Sequence, residues 1–154
     1  MLSIIAQLAP YKPNMTNLAA EIGVSKNNIQ DYLVYMDRAG LVTLLRDSVG
    51  GLRLLGKLEK VYLDNPTLMH ALSREKPNIG NLRETFFLNQ MRVRNTVTAS
   101  PVSDFKIGDF TFEVGGPRKG KRQIDGLENA FIVKDDIEYA HGNVIPLWMF
   151  GLNY

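Results

Sequence analysis

Three acidic residues, Glu84, Asp104 and Glu113, fall in the order helix, strand, strand. Carboxylates in that order can hold Mg²⁺ or Mn²⁺ through oxygen ligands. Metal-assisted hydrolysis then calls for a lysine two residues after the last acid, to assist the attacking water. Here that position is Gly115, and Lys119 or Lys121 reaches the acids only if its loop folds back over them. A plainer reading makes Glu84 a first-turn helix glutamate favoured by the helix dipole. Asp104 and Asp109 then flank a hairpin, and Glu113 is an ordinary strand residue.

The same region carries Gly115-Gly116-Pro117-Arg118-Lys119-Gly120-Lys121, which matches the G-x-x-x-x-G-K spacing of a phosphate-binding loop. Arg122 stands where such a loop needs Ser or Thr for Mg²⁺, and Pro117 removes a backbone donor from the cradle. The segment therefore reads as a basic hairpin loop bearing Arg118, Lys119, Lys121 and Arg122. Asp135, Asp136 and Glu138 read as a polar turn after a buried strand rather than a cation site.

Composition narrows the chemistry further. Among 154 residues there is no cysteine, and the two histidines, His70 and His141, are far apart. That excludes disulfides, thiolate nucleophiles and Cys-based zinc sites, and leaves neither a His-rich metal centre nor a Ser-His-Asp triad in view. The balance of 18 basic against 16 acidic residues is too mild to dictate a nucleic-acid partner. No apolar run approaches a membrane span, and MLSIIAQLAP lacks a basic lead-in and a cleavage site, so a cytoplasmic protein is expected.

The elements that would position these residues fall into two parts, and the expected class is α+β. Residues 2–9, 16–22 and 26–39 read as three helices. Pro10 and Pro13 end the first, Gly23 breaks the second, Ser25 caps the third and Gly40 closes it. Ala19, Gly23 and Ile29 give the small–glycine–aliphatic spacing that a helix-turn-helix requires mechanically. Ile29, Tyr32, Leu33 and Met36 form the expected buried stripe of the third helix. Lys26, Asn27, Gln30, Asp31, Val34 and Tyr35 are expected outward. A Gly-rich hairpin follows as a wing, with Arg46, Arg53 and Lys57 along it. With one lysine and no arginine, the outward set is a poor base reader. DNA contact and protein packing both stay open.

A short helix at 66–72 and the polar stretch SREKPN place a boundary between domains 1–75 and 76–154. A helix is expected over 79–94, and strands at 95–99, 103–107, 109–114, 121–124, 130–134 and 144–150. Gly108–Asp109 reads as a tight hairpin turn.

Four separated stretches, NMTNLAAEIGVSKNNIQDYLVYMDRAGLV, KVYLDNPTLMHALS, NIGNLRETFFLNQM and DFTFEVGGPRKGKRQI, together resemble the C-terminal region of a family of bacterial and archaeal AAA-type ATPases. In that region a winged helix precedes a domain of unknown function with a restriction-endonuclease-like fold. The resemblance runs from about Leu2 to the terminal WMFGLNY. It implies an upstream ATPase module, so that Met1 marks a truncation or a segment boundary. It also implies a winged helix-turn-helix followed by a small mixed α/β nuclease-like domain, with Glu84 on the helix acid and Asp104 and Glu113 on the strand acids. Without the lysine, the resemblance implies that catalysis is lost. The expected function is a non-catalytic module with no cofactor and no membrane contact. It binds DNA or a protein partner through Lys26, Asn27, Gln30, Arg46, Arg53, Lys57 and the Arg118–Arg122 loop. The alternatives are a nuclease dependent on Mg²⁺ or Mn²⁺ that uses Glu84, Asp104 and Glu113, and a purely structural docking module.

Overall fold

The computed structural model describes residues 1–47, 57–73 and 75–152. Three helices open it, α1 (Leu2–Leu8), α2 (Met15–Ile22) and α3 (Lys26–Arg38). The Asn14 side chain accepts from the N–H groups of Thr16 and Asn17 and starts α2. Gly23 ends it in the left-handed region at φ +76°, and the Ser25 hydroxyl accepts from Asn28 N–H at 3.2 Å to start α3. Ile5, Leu18, Ala19, Ile29 and Leu33 bury one core between these helices. Tyr32, expected in the buried stripe, is 39% exposed. Ile29 and Leu33 take the centre of the stripe, and Tyr32 falls at its exposed edge.

An antiparallel pair follows, β1 (Val42–Arg46) and β2 (Leu58–Leu63), with Val42 opposite Leu63. The backbone of Tyr11 adds a bridge to Val61. Arg53 and the glycines at positions 50, 51 and 56 lie outside the described residues. Both faces of this pair are buried. Val42, Val61 and Leu63 pack on the helices, whereas Leu45 and Tyr62 belong to a second core with Phe87 and Phe105.

That second core lies between α5 (Ile79–Met91), which follows α4 (Pro66–Leu72), and a five-stranded sheet. In order across the sheet are β3 (Thr98–Ala99), β4 (Phe105–Ile107), β5 (Phe110–Gly115), β6 (Ala130–Lys134) and β7 (Val144–Pro146). Strand β4 is antiparallel to β3 and β5, while β5, β6 and β7 run parallel. Phe87 sits 4.9–5.3 Å, centroid to centroid, from the rings of Phe105, Phe112 and Phe150. The β4–β5 turn at Gly108–Asp109 is as expected, with Gly108 at φ +57°.

Two strand expectations are corrected. Residues 121–124 form turns rather than a strand, and the basic segment is not a hairpin loop. Because β5 and β6 are parallel, the chain must cross back over the sheet between them. Ile124 anchors that crossover by packing on Ala130, Ile132 and Val144. Strand pairing at 144–150 stops at Pro146, which lacks a backbone donor, and Leu147–Leu152 coils into a 3₁₀ helix. Leu147 is buried there, while Trp148 and Met149 face out.

Candidate functional site: three carboxylates and two lysines

Glu84 occupies the head of the α5 stripe that continues through Phe87, Leu88 and Met91, so helical spacing alone sets its carboxylate at the margin of the core. Asp104 stands just ahead of β4, on a loop pinned twice. Ser100 Oγ accepts from the N–H groups of Val102 and Ser103, and Ser103 Oγ donates to Phe112 O at 2.9 Å. The Val114 N–H then donates to Asp104 Oδ2 at 2.9 Å. Glu113 lies between Phe112 and Val114 on β5. Those two neighbours face the α5 core, so alternation turns Glu113 to the crossover side, and it is fully buried.

Two ammonium groups meet these acids. The crossover folds back so that Lys119 Nζ forms an ion pair with Glu113 Oε1. A turn bond from Lys119 N–H to Gly116 O and a bond from Lys134 Nζ to Pro117 O hold the segment in place. Gly115 makes this approach possible. A Cβ there would stand 2.6 Å from Lys119 Cγ, well inside contact distance. The glycine at the expected lysine position is thus the floor on which a lysine from four residues later lies. The second ammonium is Lys60 on β2, which donates to Glu84 Oε2 at 3.0 Å and stands 3.9 Å from Asp104 Oδ1. Tyr62, on the same face of β2, donates its hydroxyl to Glu84 Oε2 at 2.8 Å.

Packing like charges in a partly dry place has electrostatic consequences. Burial, then the Glu84 carboxylate, with a smaller push from Glu113, raise the Asp104 carboxyl to about 6, against the opposing pull of the Val114 N–H and Lys60. Burial works against the Lys119 ammonium, but its bond to Glu113 and the fields of Glu113, Asp104 and Glu84 outweigh it, and its pKa is raised. Tyr62 is driven strongly upward by burial and by Glu84, so its phenol remains a proton donor.

The sequence pattern therefore located all three acids, and one of its two candidate lysines, at one place. Lys60 and Tyr62 were missed. Their only sequence signal is i, i+2 spacing on a strand of the other half of the chain. The remaining candidates lie elsewhere. Lys26, Asn27 and Gln30 are exposed on α3, and Arg118, Lys121 and Arg122 are exposed on the crossover. Lys57 pairs with Glu59 at 3.1 Å, and Arg46 lines a cleft between the two halves. Asp135 is bonded by Arg83 Nε at 2.9 Å, in keeping with a structural turn.

The acids in this arrangement do not present a cation with a shared set of ligands. Among the described residues no three His, Asp or Glu side chains are spaced to hold one metal ion. Lys60 lies between Glu84 and Asp104, and Lys119 covers Glu113. No helix among the described residues is long and apolar enough to cross a membrane. No protein-family model, curated protein or solved structure matches the chain.

Proposed function

We propose that the chain is the C-terminal module of an AAA-type ATPase. In this reading a winged helix-turn-helix joins a restriction-endonuclease-like domain, and the module binds DNA without hydrolysing it. The observation that carries the reading is the double neutralisation of the acid cluster. Lys60 and Lys119 supply from within the chain the positive charge that a metal would bring, so Glu84 and Glu113 are each charge-paired without one. Arg118, Lys121 and Arg122, which have no ion-pair partner among the described residues, then face outward on the crossover, where phosphates can reach them. The helix pair around Gly23, the antiparallel strand pair after α3 and the mixed sheet with one antiparallel strand support the fold assignment. Fluorescence anisotropy with duplex and single-stranded DNA at two salt concentrations tests the reading. Replacing Arg118, Lys121 and Arg122 with glutamine should weaken binding alike on all sequences and flatten its salt dependence. Absence of binding at low salt would leave α3, with Tyr35 exposed, as a protein-docking face.

A second reading, a nuclease dependent on Mg²⁺ or Mn²⁺, is favoured by one observation, the placement of Lys119 over Gly115. It restores an ammonium beside the last acid by a route other than the usual spacing. DNA cleavage that requires Mn²⁺ and disappears in both Glu113→Gln and Lys119→Met would establish this reading over the first.

A further inference from the structure

A second polar site lies outside the acid cluster, in a cleft of about 430 Å³ between the two halves of the molecule. Its walls come from the last turn of α3, from β1, and from the segment joining α5 to β3. Three arginines line it, Arg38, Arg46 and Arg92, against a single carboxylate, Asp37. Asp37 is not free to repel a guest. Its Oδ1 accepts the Leu44 N–H at 3.3 Å, and burial raises its carboxyl against the opposing pull of that bond and of Arg92 and Arg46. Arg92 also pairs with Asp64, whereas Arg38 has no ion-pair partner among the described residues. Arg38 stands in the last turn of α3.

One residue lining the cleft, Thr43, carries an unanswered polar group. Thr43 is 8% exposed, and its hydroxyl has no hydrogen-bond partner among the described residues. A buried hydroxyl left unpaired costs folding free energy, and a turn of the Thr43 side chain toward the cleft it lines would let an occupant answer it. Val34, Leu44, Leu88 and Val97 supply apolar wall around it, and Thr96 and Thr98 further hydroxyls. An apolar pocket with a few convergent polar groups is the usual form of a small-molecule site.

We infer that this interdomain cleft binds an organic phosphate the size of a nucleoside monophosphate, its anionic head held by Arg38 with Arg46 and Arg92, and a polar atom of its body bonded by the Thr43 hydroxyl. Guanidinium forks match the oxygens of a phosphate head in pairs. The volume exceeds what inorganic phosphate fills and suits a nucleoside monophosphate. The site is independent of the acid cluster, so it stands or falls apart from the proposed DNA binding.

Isothermal titration calorimetry on the intact chain with AMP, adenosine and inorganic phosphate tests the inference. AMP should bind at least tenfold more tightly than either of its parts. Arg38→Gln should weaken AMP tenfold or more. Thr43→Val should weaken it severalfold while leaving the melting temperature unchanged or higher, because it removes an unpaired hydroxyl. A 5′-phosphorylated oligonucleotide that displaces AMP assigns the head to a nucleic-acid end, and failure to displace assigns it to a free nucleotide. No heat with AMP at millimolar concentration, or equal AMP affinity in all three proteins, would overturn the inference.

Discussion

Glu113 is the residue on which the sheet half depends most. A carboxylate with no exposed surface is tolerable only with its charge answered, and among the described residues the answer is Lys119. Lys119→Met should therefore cost about 3 kcal/mol in urea denaturation, and adding Glu113→Gln should recover most of that loss. Additive losses in the double variant would show that the two side chains do not act as a pair. Asp104 makes the opposite kind of prediction. Its folded carboxyl titrates near 6 against an ordinary 3.8, so between those values the folded state holds a proton that the unfolded chain has released. This contribution is greatest in acid and is lost as pH rises through about 4 to 6. Asp104→Asn keeps an acceptor for the Val114 N–H and removes the titration. Relative to wild type, the variant should gain on the order of 2 kcal/mol between pH 4 and pH 7. A pH-independent difference in melting temperature between the two proteins would sink the argument.

Local elements are largely legible in the sequence, because capping and turn residues act within a few positions. Ser25, Gly23 and Gly108 each mark an end or a turn that the backbone adopts. Gly23 is the sharpest case. At φ +76° a Cβ strains the backbone even though nothing lies within 4 Å of where it would stand. Gly23→Ala should cost about 1 kcal/mol in thermal melts, with no repacking visible in side-chain NMR shifts. What local patterns could not reveal was strand direction. KRQI alternates well enough to read as a strand, yet β6 lies parallel to β5 and the segment must cross over. Direction is decided by long-range pairing, and so was the position of the lysine. Spacing searches for it at 115, while the crossover delivers it from 119. Gly115→Ala tests that geometry, since the new methyl group overlaps the Lys119 stem. Loss of stability on the order of 1–3 kcal/mol is expected, largely absent when Lys119 is already glycine, because the Lys119 Cβ itself stands 2.8 Å from the new methyl group.

At the scale of the whole molecule, the polar stretch before α5 suggests two separable domains, but the β1–β2 pair binds them together. It buries Val42, Val61 and Leu63 on one side and Leu45 and Tyr62 on the other, and from its second face it sends Lys60 and Tyr62 to the acids of the sheet half. A strand pair with two buried faces cannot leave one core without exposing the other. The halves should then unfold in a single transition, with the acid cluster assembled only while the helical half is intact. Leu45→Ala examines this directly, because Leu45 belongs to the second core by packing and to the first half by sequence. Cavity formation should cost about 2–4 kcal/mol. Native-state hydrogen exchange should show that loss equally at amides of α3, such as Leu33, and of β6, such as Ile132, both deep in their cores. If protection fell at Ile132 while Leu33 kept its wild-type value, the helical half would be folding on its own. The carboxylates would then owe their neutralisation by Lys60 to docking rather than to one shared fold.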